Sequence, residues 1–253
     1  MHRLFRSSMH LNSLSRTVDP HFHLRWTLME LLRNLLSSDP AAPRLTVYNE
    51  STGARLDFSA QTLDNWAAKV ANMMREELDL DQGSLISLDL PASWQCVAIV
   101  LGAMAAEIEV EFCPIEQAQG AVAFVAPERI DASPAFPGDV VLVTQDPFGR
   151  GVVECEGTVP DGMIDFGPTV RFYGDQFFEP GTRIEESVDK QVYAELPSGS
   201  RALSTGWTTF AEMQRTVLAP LAVGGSAVVV TGVASDQRLE AIGRAEKATM
   251  RLS

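Results

Sequence analysis

From Leu45 to Val110 the chain alternates short β-rich runs with longer stretches of helical periodicity, and this alternation restricts it to an α/β fold. Leu45 to Asn49 and Arg55 to Phe58 flank Glu50-Ser51-Thr52-Gly53, a hairpin signal with Gly53 available for positive φ. Ser59 is placed to cap a helix in which Leu63, Trp66, Ala67, Val70, Met73, Met74 and Leu78 recur along one face. Asp79 to Gly83 is a polar turn into a strand over Leu85 to Leu90, and Pro91 ends that strand because it has no N–H for a ladder. Ser93 caps a second helix, Trp94 to Glu107, whose apolar residues surround the axis, so burial against a sheet is expected. Strand, helix and strand in succession predict right-handed crossovers and a parallel sheet.

The flanking chain continues in this style. Upstream, Leu28, Leu31, Leu32, Leu35 and Leu36 form an apolar stripe that predicts a helix from Arg25 to just before Asp39-Pro40. Downstream, Val122 to Ala126 and Val140 to Thr144 read as strands on either side of a connection through Pro127, Pro134 and Pro137. Asp146 to Gly151 is a turn-rich loop, Glu154 to Pro180 shows no period and reads as loops and short strands, and Ile184 to Leu196 is a weak helix. Strand Ala227 to Val230, helix Asp236 to Ala248 and a strand in Thr249 to Leu252 close the chain. Residues 25–253 therefore make an α/β domain, undivided or as two packed subdomains with a loop-rich connection near 127–180.

Residues 1–24 differ in composition. They hold all four histidines (His2, His10, His21 and His23) together with Arg3, Arg6 and Arg16, and no acid precedes Asp19. This reads as a disordered or over-called extension, with an Arg- and Ser-rich targeting peptide as the alternative. His21 and His23 have metal-ligand spacing but no further ligand in register.

Over the whole chain acids dominate: 33 Asp plus Glu against 20 Lys plus Arg give a net charge of -13, which argues against nucleic acid and anionic membranes as partners. The most apolar run, Trp94 to Ala106, is far shorter than the ~20 residues of a membrane span. Cys96, Cys113 and Cys155 show no CxxC spacing and are odd in number, so a reducing cytoplasmic location is expected. From Leu24 onward there is no histidine, which removes Ser-His-Asp, Cys-His and His-ligated zinc chemistry from the body. Glu76-Glu77 and Glu185-Glu186 read as solvated helix faces, Cys96 as core, and neither a Rossmann G-x-G-x-x-G nor a Walker A motif occurs.

Two separated stretches carry a family resemblance. LDLPASWQCVAIVLGAMAAEIEV, Leu88 to Val110, resembles the segment of acyl-CoA synthetases in which a strand ending in Leu-Pro leads into a helix with Leu-Gly-Ala and then a strand. RALSTGWTTFAEMQRTVLAPLAVGGSAVVV, Arg201 to Val230, resembles a later part of the same domain, where Ala-Pro-Leu closes a helix before Gly-Gly. The resemblance implies mostly parallel sheets flanked by helices, a truncated amino-terminal domain of an adenylate-forming enzyme, most like short stand-alone members.

That family's chemistry uses a Ser/Thr/Gly-rich loop ending in Pro-Lys-Gly around the ATP phosphates, a Tyr-Gly-x-Thr-Glu stretch, a ribose-binding Asp and a carboxyl-terminal domain with a catalytic Lys. Here Pro197-Ser198-Gly199-Ser200-Arg201 and Ser204-Thr205-Gly206 are the nearest phosphate-loop candidates, and both lack the lysine. The expectation is a non-catalytic protein with a binding, regulatory or interaction role and no cofactor. One alternative is a residual AMP-binding or acyl-activating enzyme, using ATP and Mg at a loop rebuilt around Ser198 to Arg201 or Asp146 to Gly151. Another is a structural subunit that meets a second copy or a protein partner. By the resemblance, Trp207, Thr208, Thr209 and Phe210 fall where the synthetases line the acyl pocket. With Ser198, Gly199 and Ser200 they are the candidate residues for a small acyl or nucleotide ligand, set against a reading in which Trp207 and Phe210 only pack between subdomains.

Overall fold

The computed structural model describes residues 28–132 and 136–252. The extension over 1–24 with its histidines, the helix start at Arg25, and Pro134 lie outside the described residues.

Helix α1 (Arg33–Ser38) leads to the hairpin β1 (Pro43–Asn49) and β2 (Ala54–Ser59), then to α2 (Ala60–Glu76), β3 (Leu85–Asp89), α3 (Trp94–Ala105) and β4 (Glu109–Phe112). The middle of the chain supplies β5 (Val122–Val125), β6 (Asp139–Leu142), β7 (Ile164–Asp165), α4 (Phe166–Arg171), α5 (Ile184–Ser187) and α6 (Lys190–Tyr193). Last come β8 (Arg201–Ser204), α7 (Phe210–Met213), α8 (Ala219–Ala222), β9 (Ser226–Thr231), α9 (Asp236–Ala245) and β10 (Met250–Arg251).

The strands form two five-stranded sheets, ordered β10-β8-β9-β1-β2 and β4-β3-β5-β6-β7. Every pairing is parallel except the β1–β2 hairpin. One apolar core joins Leu45, Val47, Ala227 and Val229 of the first sheet to Ile86, Leu88, Phe124 and Val141 of the second, through α2 and α3 between them. Because side chains alternate along a strand, the next residues point away. Val228 and Val230 meet Leu239 and Ile242 of α9, while Ala123, Val125, Val140 and Leu142 pack with Ile115 on the far side of the second sheet.

Ser59 and Ser93 cap α2 and α3 as their positions predict, accepting the Thr62 and Cys96 amides at 3.1 and 3.2 Å. Helix α3 is buried on nearly every side, as its uniformly apolar sequence requires.

The hairpin belongs to the other sheet from β3: β1 pairs with β9, so α2 carries the chain from one sheet to the other, while β3 and β4, joined by α3, and β8 and β9, joined through α7 and α8, are parallel neighbours. Three expectations need correction. The first helix is confined among the described residues to α1; Leu28 is 50% exposed, and the Met29 amide donates to the Phe177 carbonyl at 2.9 Å, a tertiary bond that replaces a helical one. Within Glu154 to Pro180, read as loops and short strands, β7 is such a strand, but Phe166–Arg171 forms helix α4, an element too short to show a period. The helix expected over Ile184 to Leu196 breaks into α5 and α6, with Asp189 accepting the Gln191 amide to start the second turn.

Candidate functional site

The carboxyl ends of both sheets converge on one cleft. Asn49 ends β1, Thr231 ends β9 with Gly232 after it, and Thr205 follows β8; Pro91 and Ala92 follow β3 and Gln145 follows β6. The cleft has an open volume of about 410 Å³, and beneath it a recess of about 20 Å³, room for a single water, reaches Val47, Leu56, Trp94 and Gln95. Ligands of open α/β sheets gather at this edge because strand-to-helix loops present free backbone groups there.

The position of the cleft follows from local chemistry. Pro91 stops β3 and Ser93 starts α3, which turns the amino end of a twelve-residue helix toward the recess. Gly206, at φ +92, carries the end of β8 past β3 so closely that a Cβ there would lie 2.9 Å from the Ala92 Cβ. Gln95 is buried; its Nε2 donates to the Asp146 carbonyl at 2.7 Å, and its Oε1 has no partner. Trp94 closes the floor, with ring centroids 5.1 Å from Phe58 and 4.9 Å from Trp66. No described lining residue of cleft or recess carries a charge.

The candidate residues from the sequence do not form one constellation. Ser198, Gly199 and Ser200 enter the amino end of β8, whereas Trp207 to Phe210 follow its carboxyl end. The first group is closed on a neighbouring turn: the Gly199 amide and the Ser198 hydroxyl donate to the Val223 carbonyl at 2.9 and 3.3 Å, and the Ser200 hydroxyl donates to Pro197. In the second group Thr209 Oγ1 accepts the Glu212 amide at 3.2 Å while the Glu212 carboxylate accepts the Thr209 amide at 3.2 Å, a capping box that starts α7, and Glu212 also accepts from the Thr208 amide and hydroxyl at 2.7 and 2.8 Å. Trp207 is 6% exposed and joins the core beside α3, where burial pushes the Cys96 thiol up to about 12 against a smaller lowering by the indole. Phe210 stacks on Phe112 at 6.1 Å.

The loop Asp146 to Gly151 stands next to the cleft, but its cation is committed: Arg150 Nη2 donates to Asp146 at 2.7 Å, and this bond holds the Asp146 carboxyl below its ordinary range. Asn49, Thr52, Gln95, Gln145 and Thr231, which do line the cleft, carry no sequence motif. Their common signal is position at a strand end or in the turn or helix start that follows one, and it becomes informative only once the strands are known to be neighbours.

Two largely parallel sheets with buried helices between them and a cleft at their carboxyl edges define the fold of acyl-CoA synthetases and other adenylate-forming enzymes. The structure aligns with an acyl-CoA synthetase of Brucella canis at a TM-score of 0.64 and 15% identity, over 83% of this chain and 44% of that one. It aligns with the acetoacetyl-CoA synthetase of Streptomyces lividans at 0.66 and 15%, over 87% and 41%. For an anthranilate CoA ligase solved with anthranoyl-AMP the values are 0.64 and 14%, over 88% and 48%. The likeness is one of fold, and the chain spans less than half the length of these enzymes. In sequence it is 34% identical over 221 residues to a TIGR03089 family protein of Mycobacterium tuberculosis, covering 79% of this chain and 87% of that one. The chain belongs to the TIGR03089 family. No protein-family model matches it.

Proposed function

We propose that this protein is a non-catalytic binding protein built on the adenylate-forming fold, holding a small uncharged ligand in the carboxyl-end cleft instead of activating an acid with ATP. The observation that carries the reading is the wall of the cleft, whose described lining offers amides, hydroxyls and apolar groups and no lysine, arginine or carboxylate. Acyl activation needs cations and magnesium ligands converging on phosphate oxygens. Gln145 and the Asn49 Nδ2 supply directional hydrogen bonds to neutral polar atoms, beside the Asn49 Oδ1 and the Thr231 hydroxyl that are held by the Ser51 amide and the Tyr48 carbonyl, and Trp94 and Leu56 supply apolar backing. The sequence supports the same reading, since its 253 residues contain no Ser/Thr/Gly-rich loop ending in Pro-Lys-Gly.

Calorimetric titration with ATP and magnesium, together with pyrophosphate exchange across a panel of carboxylic acids, tests the proposal. No saturable heat and no acid-dependent exchange are expected. Micromolar ATP binding, or exchange that depends on one of the acids, would overturn it.

A further inference from the structure

A second cavity, of about 390 Å³, lies between α1, the middle of α2 and residues 175–177, and shares no lining residue with the carboxyl-end cleft. One wall is a strap of two stretches, residues 28–29 and 175–177, joined where the Met29 amide donates to the Phe177 carbonyl at 2.9 Å. The strap is tied to α2 through Asn72, whose Nδ2 donates to the Gly174 and Gln176 carbonyls, each at 3.0 Å. Phe177 is buried in the core, while Leu28, Asp175 and Gln176 are exposed.

Asp64, on the α2 side of this junction, has one carboxyl oxygen sealed within the protein. Its Oδ1 is closed to solvent and accepts no hydrogen bond. An ionised carboxylate in that position forfeits hydration and gains no donor, a cost the neutral carboxyl largely escapes. The amide groups beside it are spent, Gln61 Nε2 on Asn65 Oδ1 at 2.8 Å and Asn72 on the strap.

The charged groups of the surrounding elements do not compensate it either. On α2, Lys69 Nζ donates to the Tyr173 carbonyl at 2.6 Å and Arg75 pairs with Glu179 at 2.8 Å. Beside α1, Glu30 is paired with Arg33 and Arg183, and Asp175 on the facing wall has the same sign as Asp64. Burial is the cause that pushes the Asp64 carboxyl up, from 3.8 to about 6.

We propose that Asp64 makes this junction a pH-sensitive latch: the neutral carboxyl lets the strap close against α2, and ionisation loosens the strap so that water reaches Oδ1. The opening falls on the strap because the opposite face of α2, with Leu63, Ala67, Val70 and Met74, is fixed in the main core. The folded chain binds the Asp64 proton more tightly than the unfolded chain does. The stability this contributes is therefore complete below 3.8 and is lost as pH rises through about 6, which leaves the strap in its looser state at neutral pH.

The test follows the full chain by NMR and thermal unfolding. The carboxyl carbon of Asp64 is expected to titrate well above the ordinary carboxylate range, and a midpoint within that range would overturn the latch. Exchange protection of the Met29 amide, corrected for intrinsic rate, is expected to fall about tenfold across the same transition. The Ile184 amide, bonded to the Leu31 carbonyl at 2.9 Å outside the strap, is expected to keep its protection. Asp64→Asn keeps the side-chain shape and removes the titration, so Met29 protection is expected to become independent of pH. The Tm of Asp64→Asn is expected to exceed that of the unmodified chain by a margin that grows by about 5 °C from acid to neutral pH. Protection lost equally at Ile184, Met29 protection unchanged with pH, or a loss that persists in Asp64→Asn would each overturn the proposal. Should Asp64→Asn fail to fold, the carboxyl titration and the Met29 exchange of the unmodified chain decide it.

Discussion

Gly102 stands where α3 crosses α2, and a Cβ there would lie 2.5 Å from both Cβ and Cγ1 of Val70. The glycine of the Leu-Gly-Ala stretch is thus a packing requirement, letting two helices approach inside a core closed by a sheet on each side. Gly102→Ala is expected to cost about 1–3 kcal/mol by overpacking, and Val70→Ala in the same chain to recover part of it, both read from urea unfolding. Glu246 is the polar counterpart. Its side chain is 8% exposed and accepts hydrogen bonds from Arg55 at 2.8 Å, Tyr48 at 2.6 Å and Arg201 at 2.5 Å, tying α9 to β1, β2 and β8. Burial opposes ionisation of Glu246, yet these hydrogen bonds outweigh it and bring the carboxyl from 4.5 to about 2. The folded state binds the proton more weakly than the unfolded chain, so the network's contribution is complete above about pH 4.5 and is lost as pH falls toward 2. Unfolding curves across that window are expected to lose this slope in Glu246→Gln, and Glu246→Ala to cost about 3 kcal/mol because Arg201 stays half-buried without its partner.

At the scale of elements, the caps were legible and the interrupted helices were not. Ser59 and Ser93 announce α2 and α3 through a local rule, a hydroxyl one residue before an apolar period. Ser59→Ala and Ser93→Ala are each expected to cost about 1 kcal/mol in thermal or chemical unfolding. Ser93→Ala is further expected to loosen the recess, with larger amide shifts at Gln95 than at remote α3 positions. Between α7 and α8, Gln214 to Leu218 widens into a π-type turn. Pro220 has no N–H to return to the Thr216 carbonyl, and a wider turn accommodates the missing bond. The proline is plain in the sequence; the compensation is a property of the folded helix. Helix α4 escaped for a related reason, since an element of six residues completes too little of a period to be seen.

At the scale of the whole molecule, β9 lies between β8 and β1 and separates the inner core from the one under α9. Hydrogen exchange at Ala227 to Val230 is expected to be among the slowest in the chain, while the two-residue edge strands β7 and β10 exchange through local opening. If Ala227 to Val230 exchanges as fast as β10, the central role of β9 is refuted. The candidate site is a property of this scale too. Trp207 and Phe210 were visible as an aromatic segment, but the tertiary structure assigns Trp207 to the core, Phe210 to a stack on Phe112, Thr209 to a capping box, and Thr208 to hydrogen bonds with Glu212. Asn49 and Thr231, which line the cleft, are 182 residues apart in sequence and share it because β1 and β9 pair in register. What the sequence by itself determined is local: caps, hairpin, apolar periods, and an α/β class with largely parallel strands, because each follows from neighbours within one or two turns. Only the tertiary structure decided which sheet received the hairpin, where the strand ends met, and which polar groups were left facing a cleft, because strand pairing across nearly the whole chain is set by burial of a shared core and leaves no local mark.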